Sequence, residues 1–130
     1  MKDWWNPTID EIRVWAYDKN PNYTEQDFEL AVADIKFKDL ILELANDDNC
    51  PNQKFFLSCA YLLIGDYVRV KYPSTTKGEI EDFLQQIKTY KNNKSFQLLY
   101  QRAIKLIKEP SSFNYELWCG GGYTYQDNKT

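Results

Sequence analysis

The sequence predicts a single all-helical domain, and three observations carry that reading. Apolar residues recur at spacings of three and four along nearly the whole chain. Two Thr-x-x-Glu capping boxes, Thr8 to Glu11 and Thr76 to Glu79, mark helix starts. No segment of useful length alternates with period two, and no Asn-Gly or Asp-Gly hairpin turn occurs.

The elements follow in order. At Thr8 the hydroxyl caps an orphan N–H while Glu11 reaches back, and Trp5, Ile9, Ile12 and Ala16 follow at helical spacing. A first helix over 8–18 is expected, ended by Asn20-Pro21-Asn22. Thr24 opens the next. Phe28, Ala31, Val32 and Ile35 share one face, and Phe37, Leu40, Ile41 and Leu44 share another. The second set is out of phase with the first, which predicts two helical pieces with a break near Lys36. Asn46 to Asn49 ends them.

Pro51 suits the first turn of a third helix, where its missing N–H costs nothing. From Phe55 to Val70 apolar residues go almost fully round, with Ser58 the one polar residue before Gly65. A helix apolar on every side is central in a packed domain, so the helix over 51–71 is expected at the centre. It stops before Pro73. Thr76 opens a helix bearing Ile80, Phe83, Leu84 and Ile87, and Asn92-Asn93 breaks it. Phe96, Leu99, Ala103, Leu106 and Ile107 line another, closed by Pro110. Ser112 is expected to cap a last turn over 114–118, stopped by Gly120-Gly121-Gly122. Residues 123–130 read as a loose tail. The total is six or seven helices in one irregular bundle spanning 1–130.

Composition excludes several chemistries. The 130 residues are 43% hydrophobic and 16% aromatic, enough for a core without disulfides. Histidine is absent, which removes Ser-His and Cys-His catalysis, most catalytic zinc sites and histidine pH switching. Cys50, Cys59 and Cys119 form no C-x-x-C pair, and their odd number suits free thiols in a reducing compartment. No cofactor or metal site is indicated. The opening residues lack a signal-peptide core, and the run from Phe55 to Ile64 is too short to span a bilayer, so a cytoplasmic protein is expected. The net charge of −3 gives no global basic field. Residues 1–66 hold thirteen acidic and six basic side chains, and residues 67–130 hold six and ten.

Each charged or reactive cluster has a bland reading beside a functional one. Asp34, Asp39, Glu43, Asp47 and Asp48 lack EF-hand spacing, and they form either a solvated face or a docking surface for a basic protein. Trp4 and Trp5 either clamp the core or sit in an interface. Asp66 and Arg69 form either an intrahelical ion pair or a ligand-orienting pair beside a cleft. Gly65 costs about 1 kcal/mol in a helix interior and permits close approach of a neighbour carrying an aromatic. Cys50, at a helix N-terminus, is the one candidate reactive thiol. Lys88, Lys91, Lys94, Lys105 and Lys108 interleave with Tyr90, Phe96 and Tyr100, a mixture that suits single-stranded nucleic acid. Two amphipathic helices produce the same mixture with no partner, so nucleic acid is disfavoured.

The segment Cys50-Pro51, Phe55-Phe56-Leu57, Cys59, Tyr61-Leu62-Leu63, Gly65-Asp66 and Val68-Arg69, with Trp4-Trp5 and Trp118-Cys119-Gly120-Gly121, resembles small bacterial helical proteins of no known activity. The resemblance implies an all-helical cytosolic protein and carries no catalytic residues across. Small, acidic, aromatic-rich proteins of this kind are similar in character to immunity proteins of bacterial toxin systems.

The expectation is a non-enzymatic interaction module for a basic protein partner, an immunity role being its most concrete form. Asp34, Asp39, Asp47, Asp48, Trp4 and Trp5 would make the contact. The alternatives are a small-ligand binder or enzyme using Asp66, Arg69 and Cys50, and an RNA-binding helical module.

Overall fold

A computed structural model describes residues 5–19, 28–71, 73, 75–90 and 93–114. Among these residues the chain forms six α-helices and two 3-10 turns, with no strand. The expected pieces of Thr24's helix before Phe28, the turn at Asn20 to Asn22, and everything from residue 115 onward lie outside the described residues, as do Trp4 and Cys119.

Helix α1 spans Ile9–Ala16 and opens with the capping box the sequence predicts. Thr8 Oγ1 accepts from the Glu11 N–H at 3.1 Å, and Glu11 Oε1 accepts from the Thr8 N–H at 3.0 Å. Its inward face is Ile12, Trp15 and Ala16. The sequence reading places Trp5 and Ile9 on that face, but both are exposed. Trp15 takes the interior position instead. Its ring meets Phe28, Phe55 and Phe56 at centroid distances of 5.1, 4.6 and 6.2 Å. That aromatic knot joins α1 to α2 (Phe28–Val32) and to the start of α4 (Gln53–Arg69).

The break expected near Lys36 is a 3-10 turn, Ile35–Phe37, between α2 and α3 (Lys38–Asn46). Asp34 leaves helical geometry, and its carboxylate accepts from the Lys36 N–H at 3.0 Å. The re-phasing lets Phe28 and Val32 point inward before the turn and Phe37, Leu40, Ile41 and Leu44 point inward after it.

Helix α4 is the centre of the bundle. Every residue from Phe56 to Gly65 is buried, and α2, α3, α6 (Lys94–Lys108) and the turn Pro110–Ser112 all pack on it. The buried Ser58 hydroxyl donates back to the Lys54 carbonyl at 3.3 Å. The helix begins two residues later than expected, because Pro51 and Asn52 form a turn instead of the first helical turn.

Asn52 uses that turn to close α1. Its side-chain amide donates to the carbonyls of Trp15, Ala16 and Asp18 at 3.2, 3.0 and 2.8 Å. Trp15 and Ala16 belong to the last turn of α1, whose carbonyls lack α-helical partners, and Asp18 follows its cap.

Helix α5 (Lys77–Lys88) starts at the second capping box, with Thr76 and Glu79 exchanging bonds of 2.9 and 3.1 Å. It packs on α6. Asn93 caps α6 by accepting from the Phe96 N–H at 3.2 Å, and its amide donates to Asn46 at 2.9 Å. After α6 the chain makes one 3-10 turn, Pro110–Ser112, and leaves helical geometry at Phe113 and Asn114. The Ser112 hydroxyl donates to the Glu109 carbonyl at 2.7 Å within this turn. The last turn expected over 114–118 lies, apart from Asn114, outside the described residues.

Candidate functional site

Two side-chain stripes on α4 organise the surface of its C-terminal half. Tyr61, Gly65 and Arg69 are spaced by four and form one of them. Phe113 lies across it. The ring stacks on Tyr61 at 5.2 Å, passes Gly65, and sits 3.7 Å beneath the Arg69 guanidinium. The Tyr61 hydroxyl accepts from the Asn114 N–H at 2.9 Å. The close approach expected at Gly65 is therefore real, and the aromatic that makes it comes from the segment after the last turn, not from a helix.

Leu63, Asp66, Tyr67 and Val70 form the second stripe, spaced by three, one and three. It is the floor of a cleft of about 540 Å³. Leu30, Ala33, Asp34 and Ile35 make the opposite wall, and Pro73 and Thr75 close one end. The cleft lies where α2 ends at Val32. The chain turns away at Asp34 before it can cover the last two turns of α4.

Leu30 and Val70 stand at the rim with 41% and 47% of their surface exposed. Two carboxylates, Asp34 and Asp66, belong to the lining, and no cationic side chain does among the described residues. Asp66 also accepts from Arg69 Nη2 at 3.2 Å across the border between the two stripes. Arg69 Nε donates to the Gly65 carbonyl at 3.3 Å. Arg69 is thus held toward Phe113, with Asp66 between it and the cleft.

The remaining acidic residues are distributed differently from their positions in the sequence. Asp39 accepts from the Gln86 amide at 3.3 Å and ties α3 to α5. Glu43 makes a two-point ion pair with Arg13, one bond being 3.0 Å. Asp47 accepts from the Tyr17 hydroxyl and, at 2.9 Å, from the Asn49 N–H. Asp48 accepts from the Gln53 amide at 3.2 Å. Arg13 to Glu43 and Tyr17 to Asp47 both advance by four, so α1 and α3 run in the same direction. Of the four aspartates expected to face a partner, Asp34 alone lines the cleft.

These bonds shift the groups that make them. The Arg13 hydrogen bond and charge hold Glu43 below the usual carboxylate range. The bonds from Tyr17 and Asn49 do the same for Asp47. The Tyr17 hydroxyl, bonded to Asp47 and partly desolvated, is pushed up to about 12.

Cys50 is buried at the opposite end of α4, its thiol donating to the Ala16 carbonyl at 3.3 Å. Burial raises its pKa. Helix rise alone puts about 20 Å between Gln53 and Asp66, so Cys50 and Asp66 cannot share a site. Trp5 is 57% exposed, so most of its surface lies outside the core. Among the described residues no group of three or more Cys, Asp or Glu converges to hold a metal ion. No helix among them is long and apolar enough to cross a membrane.

Sequence reasoning missed Leu30, Tyr67 and Val70 as a lining set, and it missed Asn52 and Phe113. The 3-1-3 spacing of Leu63, Asp66, Tyr67 and Val70 was visible, but nothing in it shows that α2 ends too soon to cover it. No family model, curated protein or solved structure matches the chain.

Proposed function

We propose that the chain is a non-enzymatic interaction module that docks a basic segment of another protein in the cleft between α2 and the end of α4. The observation that carries this reading is the composition of the cleft. It joins exposed apolar residues at the rim, Leu30 and Val70, to two carboxylates, with no cation among the described lining residues. A Lys or Arg side chain suits it, because its aliphatic stem covers apolar surface while its head reaches a carboxylate.

The acidic excess of residues 1–66 supports fast, salt-sensitive encounter with such a partner. Neutralisation of a basic bacterial toxin is the most concrete form of the proposal. A cysteine enzyme finds no support, since Cys50 is buried, has a raised pKa and sits at the far end of α4.

The test is association kinetics with the partner captured from the host lysate. Asp34→Asn with Asp66→Asn keeps the capping oxygen of Asp34 and removes both charges. The double variant is expected to slow association several-fold and flatten its salt dependence. Unchanged rates at low salt would contradict the assignment.

A further inference from the structure

A second surface, on α6 and the end of α5, has the opposite chemistry. Helix α6 carries four cations, Lys94, Arg102, Lys105 and Lys108, and no carboxylate within its fifteen residues. Lys94, Gln97, Gln101, Lys105 and Lys108 are spaced by three, four, four and three. They form one exposed stripe about 21 Å long, with Glu109 just beyond its end. Lys88, Lys94, Lys105 and Lys108 make no ion pair among the described residues.

The stripe runs past a cavity of about 260 Å³ at the junction of α5 and α6. Buried Ile87 and Phe96 form its base, and half-buried Tyr90 and Tyr100 its sides. Tyr90 is held edge-on against Phe96 at 4.5 Å. Lys88 reaches over the Tyr100 ring, 5.8 Å from its centroid. Gln97 and Gln101 supply amide donors and acceptors at the mouth.

We infer that this face binds single-stranded nucleic acid, with one base entering the tyrosine-walled cavity and the backbone following the lysine stripe of α6. Aromatic walls accept the π-face of any base. Amides at the mouth reach base edges, and the lysines at the two ends of the stripe neutralise phosphates on either side of that base. A lysine stripe alone would suit any polyanion. The cavity beside it favours an anion that carries flat rings. Composition ranks this partner low because the net charge is −3, but α6 itself holds four cations and no carboxylate.

The test is fluorescence anisotropy of a fluorescein-labelled oligouridylate with the full chain, at low and at physiological salt. Binding is expected at low salt and weakens as salt rises. Lys94→Gln, Lys105→Gln and Lys108→Gln together should lower the log-log salt slope by about 2, at about 0.7 per phosphate contact. These three side chains are exposed, so the variant keeps its fold. Tyr100→Ala should weaken binding about five-fold or more, and Tyr100→Phe, which keeps the ring, should bind as the parent does. No anisotropy change at low salt overturns the inference. So does equal affinity for a duplex with no loss in Tyr100→Ala, which leaves only a basic surface. Poly-glutamate binding as tightly as the oligonucleotide also overturns it, and places an acidic protein segment on this face instead.

Discussion

Substituting Gly65 by alanine should destabilise the protein, although the same change in a free helix interior stabilises by about 1 kcal/mol. A Cβ at Gly65 would stand 2.4 and 2.6 Å from two ring carbons of Phe113. The ring must move, and it is held on two sides. Moving it weakens the stack on Tyr61, worth about 0.5–1.5 kcal/mol. It also weakens the contact with Arg69, worth about 0.5–1 kcal/mol at such a site. The Asn114 bond to the Tyr61 hydroxyl, next to Phe113 in the chain, is worth about 0.5–1.5 kcal/mol more. After the propensity gain, the net cost is about 0.5–3 kcal/mol.

The sign depends on Phe113, which makes the reasoning testable by a double-mutant cycle in urea. In a Phe113→Ala background the space opens, and Gly65→Ala should then stabilise by about 1 kcal/mol. An equal rise in the unfolding midpoint in both backgrounds would refute the account of why glycine stands there.

Three further outcomes are expected. Asn52→Ala removes the amide that joins the Trp15, Ala16 and Asp18 carbonyls at the end of α1 and should cost about 1–3 kcal/mol by urea unfolding; a change within the scatter of surface substitutions would mean water replaces the amide freely. Cys50 and Cys59 should resist iodoacetamide in the native state and react only on unfolding, read by mass spectrometry; rapid native labelling of Cys50 would contradict its burial. Stability should fall at both pH extremes. Glu43, Asp47 and Glu79 are held below ordinary values, so their contribution is complete above about pH 5 and is lost as pH falls through their folded pKa values. Tyr17 runs the other way. Its folded pKa of about 12 exceeds the unfolded value near ~10, so its contribution holds below about pH 9 and is lost as pH rises toward 12. Tyr17→Phe should flatten the alkaline limb, and an unchanged limb would place the alkaline loss elsewhere.

The helical architecture was legible because local signals dominate it. Both capping boxes form as read, the phase slip between Ile35 and Phe37 is a real break, and the helix apolar on all sides is the central one. Trp5 and Ile9 were misplaced because helical spacing identifies a face without saying how far the core extends along it. Trp15 fills the position nearest Phe28 and Phe55, and the first turn of α1 projects past that contact.

The cleft was only half legible. Asp66 and its link to Arg69 follow from spacing. The pairing of Asp34 with Asp66 depends on α2 ending at Val32, which is a tertiary fact. The acidic run misled in a specific way. Read along the chain, Asp39, Asp47 and Asp48 form one cluster. In the fold each is taken by a different neighbour, Gln86, Tyr17 and Gln53. A row of charges shows net sign and leaves open which members are already bonded within the molecule.

The most direct test of the docking proposal is capture from the host lysate with three versions of the tagged protein in parallel: parent, Leu30→Lys with Val70→Lys, and Val14→Lys. All three altered side chains are exposed, Val14 by 75% and away from the cleft, so the fold is preserved. The proposal predicts one stoichiometric basic protein with the parent and with Val14→Lys, lost at high salt and absent from the cleft variant. Retention of that protein by the cleft variant, or its equal loss from Val14→Lys, would contradict docking in the cleft between α2 and α4.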